Sequence, residues 1–370
     1  MNPPLVSVVM PVKDAGRFLA EAIESILSQR FRDFEFIIID YGSTDASQSI
    51  VARYAAQDAR IVPLVVPPCV LPSARNAACA RARGKYLAVM DADDISLPNR
   101  LACEIEFMEN HPRIALLGGA TEWIDANGKN LGIHRHPTQE STLRAELATH
   151  CVFWHPTVLM RKEAFDSVGG YRPVFLTGHD YDLELRLAER FECANLSDVI
   201  LKYRIHSGQV SISRRLQQTL GILAAQSSAA LRKRGVPDAW DSVEEISPAI
   251  LTRLGVAEAV QESAFASDTR NWVLNMAAAS ERAVALKIAV EILESFEWKH
   301  AHKGHVADLW LIAARLYWIQ GQPFRCFSAA VRAFRIWPIV VGRPFRPLLS
   351  WLRLVDRKPV NQGAVVKEPQ

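Results

Sequence analysis

The first 110 residues alternate short apolar runs with helical patterns, and that alternation restricts the fold more than any other feature of the chain. "LVSVVM" precedes a helical pattern from about Arg17 to Gln29, in which Phe18, Leu19, Ala22, Ile23, Ile26 and Leu27 keep helical spacing. "FEFIIID" precedes a second helix carrying Ile50, Val51 and Tyr54, "RIVPLVV" a third at about 73 to 83, and "KYLAVM" closes the series. Runs this apolar read as strands covered on both faces, the habit of parallel sheets flanked by helices. The order βαβαβαβ therefore predicts an α/β, Rossmann-like nucleotide-binding sheet. Pro63 places the third strand at an edge or a strand end.

The pattern changes after residue 113. "IALLGGATEWIDANGKNLGIH" reads as two strands joined at Asn127-Gly128, a hairpin signal, so the sheet is expected to become mixed. "HCVFWHPTVLM" and "SDVILKYRIH" read as further strands with the helix "HDYDLELRLAER" between them. Beyond Arg215 strand signals fade into Ala- and Leu-rich helical stretches. At 370 residues the chain exceeds one ordinary core. The expected organisation is a domain over 1–215, with halves 1–110 and 111–215, then a helical region over 216–358 and a disordered tail over 359–370. Within the helical region, Tyr317, Gly321, Ala329, Phe334 and Pro338 match one helix pair of tetratricopeptide type at 309–338.

Chemistry concentrates where apolar strands end. Asp40 and Tyr41 close "FEFIIID", Gly42 permits a sharp turn, and Ser43 is placed to cap the next helix. Ligands of open α/β sheets bind at the carboxyl ends of strands. "VMDADDISLPNR" ends another strand with Asp91, Asp93 and Asp94, like charges that are costly without a cation. Asp91 and Asp93 suit a divalent cation or a ribose, since hard oxygen ligands match Mg²⁺ or Mn²⁺ holding phosphates. Asp94 fits equally well as an acid at a helix start.

The bulk properties exclude other classes. A formal charge of +3 is too small to imply nucleic acid. The six cysteines lack CxxC spacing, which predicts neither a zinc site nor a disulfide framework and suits reduced thiols in a cytoplasm. No basic n-region and no apolar run of membrane-spanning length is expected to act as a signal peptide or a span.

"SVVMPV", "FRDFEFIIID" followed by "GSTD", "SARNAACARARGKYLAVMDADD", "VGGYR" and "HDYDLELRL", in this order, resemble the family 2 glycosyltransferases over roughly residues 5 to 212. The resemblance implies the nucleotide-diphospho-sugar transferase (GT-A) fold and transfer, inverting and metal-dependent, of a sugar from a nucleotide-diphospho-sugar to a hydroxyl. It implies Asp93 as the metal-binding acid of a DxD motif with Asp91 near the ribose, and Asp40 at the nucleoside pocket beside Pro11, which opens a loop to the base. It also implies Arg75 and Asn76 on a helix beside the nucleotide, His206 near diphosphate or metal, and Asp180 as catalytic base. Independently, attack by a sugar hydroxyl needs a carboxylate within hydrogen-bond reach, though Asp180 at a helix start also fits a cap.

Two residues depart from the family's pattern. His179 stands where the family has Glu, and Tyr41 where it has a second acid, which leaves the nucleotide base open with a UDP-sugar as first expectation. His155 and His179 are acceptor-side candidates, Trp154 reads as core, Asp182 and Glu184 as solvated helix acids, and His134 and His136 as surface. The alternative, a non-catalytic nucleotide-sugar binder or scaffold acting through its helical region, is disfavoured by the retained Asp91, Asp93 and Asp180. The family implication extends to a saccharide or lipid-linked acceptor in cell-surface polysaccharide or glycolipid assembly. From Arg315 to Lys358 nine basic residues face one acid, Asp356, a composition suited to an anionic membrane surface at the inner face of the cell membrane.

Overall fold

The computed structural model describes residues 3–206, 215–238, 240, 243–279 and 281–338. The alternating segments form β1 (Val6–Val12), α1 (Leu19–Leu27), β2 (Phe34–Asp40), α2 (Ser47–Ala55), β3 (Ile61–Val65), α3 (Leu71–Arg81) and β4 (Tyr86–Val89). Every residue of β1, β2 and β4 is buried, as apolar runs covered on both faces must be. The strands pair in parallel in the order β3-β2-β1-β4, with β3 and its Pro63 at the edge.

After β4 come β5 (Ile95–Ser96), α4 (Arg100–Asn110), the hairpin β6 (Ile114–Asp125) and β7 (Asn130–His134), α5 (Glu140–Leu147), β8 (Leu159–Arg161), α6 (Lys162–Ser167), α7 (His179–Ala188) and β9 (Glu192–Ile205). They extend the sheet to nine strands in the order β3-β2-β1-β4-β8-β6-β9-β5, with β7 on β6. β4–β8, β8–β6 and β9–β5 are antiparallel and β6–β9 is parallel, so the sheet is mixed. "HCVFWHPTVLM" is not one strand: His155–Thr157 forms a 3₁₀ turn around Pro156, which cannot donate to a ladder, and only Leu159–Arg161 pairs. Ser43 does not cap α2, which begins at Ser47; its hydroxyl instead accepts from the Asp14 amide at 3.0 Å.

The remaining helices are α8 (Arg215–Lys233), α9 (Pro248–Arg253), α10 (Glu258–Ala278), α11 (Arg282–Ser295), α12 (Lys303–Ile319) and α13 (Pro323–Ile336). α8 shares the core of the sheet's α7 face, where Leu220, Leu223 and Ala224 join Tyr181, Leu185 and Leu187. α10 to α13 build a separate apolar cluster around Val273, Leu286, Leu309 and Trp310. α12 and α13 form the helix pair at the tetratricopeptide-like stretch. Among the described residues no helix is long and apolar enough to cross a membrane.

Candidate active site

β1, β2 and β4 are parallel and in register, so their carboxyl ends lie side by side. Pro11 lies within β1 opposite Ile39, with Val12 between it and the loop it was expected to open. Asp40 is buried at the end of β2, where Oδ1 accepts from the amides of Gly42 at 3.1 Å and Ser43 at 3.0 Å and from Gln48 Nε2 at 3.1 Å. Burial opposes its charge, but these donors overcome it and hold the carboxyl below its ordinary range. Oδ2 is buried without a protein partner, an acceptor left over for something else. Gly42 takes φ +105°, which a side chain would resist. Tyr41 is 9% exposed and belongs to the apolar cluster of Ile37, Ile39 and Ala74, with Lys13 Nζ 5.6 Å from its ring centroid.

The turn after β4 gathers the charged groups. Arg75, buried on α3, donates from Nη2 to Asp91 Oδ1 at 2.7 Å, while its Nε and Nη1 are buried without partners. Burial disfavours the guanidinium charge, but Asp91, Tyr171 and Asp180 nearby outweigh that and raise its pKa. Burial pushes the Asp91 carboxyl up; Arg75 pulls it down, and the Asp93 and Asp180 charges add to the rise. Asp93 Oδ2 lies 2.9 Å from His206 Nε2. Asp94 is no solvated helix-start acid: it is 1% exposed, and Oδ1 accepts from the Arg204 amide at 2.8 Å. Burial, then Asp93 and Asp91, push its carboxyl well up. The buried Arg204 braces this turn, donating from Nε to the Asp93 carbonyl at 2.8 Å and pairing with Glu21.

This donor set suits a divalent cation in kind, with carboxylates crowded enough that the Asp93 charge helps raise both Asp91 and Asp94, and an imidazole beside Asp93. Asp93 and His206 are the residues that would hold it. Among the described residues no group of three such side chains is already arranged around one point.

α7 carries the remaining chemistry. Every residue of α7 except Asp180 is buried, so Asp180 is the one acid of this helix open to a ligand. Gly178 caps the helix at φ +72° with no side-chain bond, and among the described residues Asp180 Oδ1 accepts only from the adjacent Tyr181 amide at 2.9 Å, so Asp180 is not the cap. His179 and His155 are buried, their rings 6.0 Å apart and flanking Tyr171, whose hydroxyl is 3.1 Å from His155 Nε2. Both His179 nitrogens and His155 Nδ1 lack protein partners. Burial holds His179 down to about 4 and His155 well below its usual range, so both rings are neutral near pH 7.

Asn76 acts on the backbone: Nδ2 donates to the Tyr171 carbonyl at 2.7 Å and Oδ1 accepts the Tyr171 amide at 2.9 Å. Gly170, at φ +69°, lets the "VGGYR" turn approach, since a Cβ there would fall 2.8 Å from Asn76 Oδ1. Asn76 therefore positions Tyr171 beside Arg75 on the helix expected to lie beside the nucleotide.

Asp182 and Glu184 are fully buried, not solvated. Asp182 pairs with Arg172 and Arg186. Glu184 accepts from Cys151 Sγ at 3.2 Å, and burial followed by the Asp180 charge raises its carboxyl well above the usual range. His134 is likewise buried, in β7, stacked on Trp123 at 3.8 Å. Burial holds His134 and His136 down to about 4. Trp154 is half-buried against Tyr203 and His136. Tyr171, Arg204 and Tyr203 were missed as site residues; only Tyr171 carried a signal, in "VGGYR". The Tyr203 phenol is raised by burial and then by Asp94, Asp93, Asp91 and Asp180, which places it at the acids.

A cavity of about 440 Å³ lined by Arg113, Arg144, Arg161 and Glu192 lies at the opposite, amino end of β4, where Arg161 pairs with Tyr86. Its arginines are engaged with glutamates and main-chain carbonyls.

The family model "Glycosyl transferase family 2" matches residues 7–169. The chain is 33% identical over 227 residues to the uncharacterized glycosyltransferase MJ1057 of Methanocaldococcus jannaschii, spanning 60% of this chain and 77% of the relative. It is 31% identical over 209 residues to the O-antigen biosynthesis glycosyltransferase WbnJ of Escherichia coli, spanning 55% and 80%. In fold it is similar to S. aureus TarS 1-349, solved in complex with UDP-GlcNAc, with TM-score 0.53 and 15% identity over 94% of this chain and 93% of that one. With a mixed α/β sheet of GT-A type, acids at its strand ends and a relative one-third identical over most of its own length, the chain belongs to the family 2 glycosyltransferases.

Proposed function

We propose that this glycosyltransferase moves a sugar from a nucleotide-diphospho-sugar to an acceptor hydroxyl with inversion at the anomeric carbon. The observation that carries the reading is Asp180, open on an otherwise buried helix and electrostatically coupled to the Arg75–Asp91 pair at the strand ends. Asp180 takes the proton of the acceptor hydroxyl as the new C–O bond forms. The bond from the anomeric carbon to the diphosphate breaks, and its electron pair leaves on the phosphate oxygen. A base on one face and a leaving group on the other give inversion.

Arg75 turns its partnerless Nε and Nη1 to that diphosphate, a charge-assisted contact that needs no reorganisation. A divalent cation, Mg²⁺ or Mn²⁺, held by Asp93 and His206 would neutralise charge on the departing group. Asp40 Oδ2 is the acceptor offered to the nucleoside, and the neutral His155 and His179 line the acceptor side. The complex of TarS with UDP-GlcNAc favours a UDP-sugar, with GDP- and dTDP-sugars as the next candidates. The relative WbnJ, named for O-antigen biosynthesis, favours a role in cell-surface polysaccharide assembly; a saccharide or lipid-linked acceptor and work at the cytoplasmic face of a membrane belong to the same proposal.

A panel of sugar nucleotides titrated by calorimetry with and without Mn²⁺ tests this. One donor class should bind in a metal-dependent way and be hydrolysed slowly without acceptor; no binding by any sugar nucleotide under either condition would exclude the reading.

A further inference from the structure

Helix α13, PFRCFSAAVRAFRI, carries its large side chains on the wrong side for a core. Its buried positions are the small Ala329 and Ala333, which let α13 close onto α12. Its aromatics face outward: Phe324 is 90%, Phe327 73% and Phe334 50% exposed, and Trp318 at the end of α12 is 56% exposed. Among the described residues eight large hydrophobic side chains are exposed; the other four are single aliphatics, and every aromatic one lies in this helix pair. Isolated exposed hydrophobics need no explanation, but a clustered patch marks an interaction surface.

The spacing orders the patch. Phe324, Phe327, Val331 and Phe334 fall at i, i+3, i+7 and i+10, one stripe along the helix. Arg325, Ser328, Arg332 and Arg335 repeat the same interval one residue on and form the adjoining stripe, and all four are exposed. The helix contains three arginines and no acid. Arg332 meets Glu294 of α11 at 2.8 Å, and Arg325 Nη1 donates to Gln322 at 3.3 Å while lying over the Tyr317 ring. A second copy of the same face would bring arginine stripe toward arginine stripe with no acid of α13 to meet them. An anionic surface meets both stripes at once, rings in the acyl boundary and guanidinium groups at the headgroups. The following sequence adds Arg343, Arg346, Arg353, Arg357 and Lys358 against Asp356 alone.

We propose that α13 docks the enzyme on an anionic bilayer, with Phe324, Phe327 and Phe334 as the inserted residues and Arg325 and Arg335 as the headgroup contacts. This names the surface behind the membrane association proposed above, and it stands without the catalytic assignment, because binding is read with no donor or acceptor present. The test is sedimentation of the full chain with vesicles of phosphatidylcholine carrying 30% phosphatidylglycerol, against vesicles of phosphatidylcholine alone.

The parent should bind the anionic vesicles and release with rising salt. Phe324→Ser with Phe327→Ser should weaken binding at least about tenfold, as loss of buried aromatic surface requires, and Arg325→Gln with Arg335→Gln should weaken it and flatten its salt dependence. Circular dichroism and donor-nucleotide binding should stay at parental values, since these side chains are solvent-facing. Absence of parental binding to anionic vesicles overturns the proposal, as does unchanged binding of the Phe double variant. Loss of a parental dimer in that variant, seen by sedimentation velocity without any vesicle effect, would assign the face to a second copy instead.

Discussion

Gly221 of α8 lies against Thr177 so closely that a Cβ at 221 would fall 2.2 Å from the Thr177 carbonyl oxygen. Gly178 returns the contact, since a Cβ there would lie 3.1 Å from the Gly221 carbonyl carbon. This glycine-to-backbone contact seats the turn that starts α7, and Asp180 follows two residues later. Gly221→Ala is therefore expected to displace Asp180: turnover should fall while donor affinity holds, and overpacking should lower stability by about 1–3 kcal/mol. Parental turnover with a parental melting temperature would show that the contact does not set the base.

Asp180→Asn keeps the shape of the α7 start and removes the proton acceptor. Turnover should drop by about 10²- to 10⁴-fold with donor binding preserved. Stopped-flow transfer assays beside calorimetric donor titration separate this from a structural role, which would lower both together.

Arg75→Lys retains the charge but loses the fork that meets Asp91 and leaves two nitrogens for the donor. Donor affinity should fall about 10- to 100-fold, the range for one charge-assisted contact. Asp93→Asn should instead remove the metal dependence of donor binding with an unchanged melting temperature, because its carboxylate is partly open and carries little packing. Calorimetry with and without Mn²⁺ distinguishes the two variants.

Tyr41→Asp inserts a carboxylate into the apolar cluster of Ile37, Ile39 and Ala74. Lys13 nearby offsets part of the cost, and a net loss of about 1–3 kcal/mol in unfolding free energy is expected. A gain of selectivity for UDP over GDP in Tyr41→Asp, without loss of stability, would show that the side chain faces the base rather than the core.

Asp238 ties Arg172 to the end of α8 through Arg172, Arg232 and Ser228. Burial opposes its charge, and these partners bring its pKa down from 3.8 to about 2. A depressed folded-state pKa stabilises above the unfolded value, so this contribution is complete above about pH 4 and lost as pH falls toward 2. Melting curves from pH 2 to 5 should be flatter for Asp238→Asn than for the parent.

The parallel half of the sheet was legible because its cause is local. "FEFIIID" is apolar but for Glu35 until its closing acid, and "KYLAVM" is apolar after Lys85, so the acids at their ends fall at strand ends, which is how Asp40, Asp91 and Asp93 are found from residue order. The Asn127-Gly128 hairpin and the helix pair around Gly321 are local in the same sense.

What surrounds those residues was decided by the tertiary structure. α7 reads as a one-faced helix, but β6 and β9 on one side and α8 on the other bury Asp182 and Glu184 as fully as Leu183 and Leu185. The partners that permit this, Arg172, Arg186 and Cys151, lie up to 33 residues away along the chain. The same holds for Asn76 clamping Tyr171 across 95 residues and Arg204 bracing Asp94 across 110. Periodicity registers the face an element turns to its first neighbour; burial by a second neighbour and the pairing of buried charges depend on elements distant in sequence. Only the assembled sheet and helices decide which acid stays open to a ligand, and on α7 that residue is Asp180.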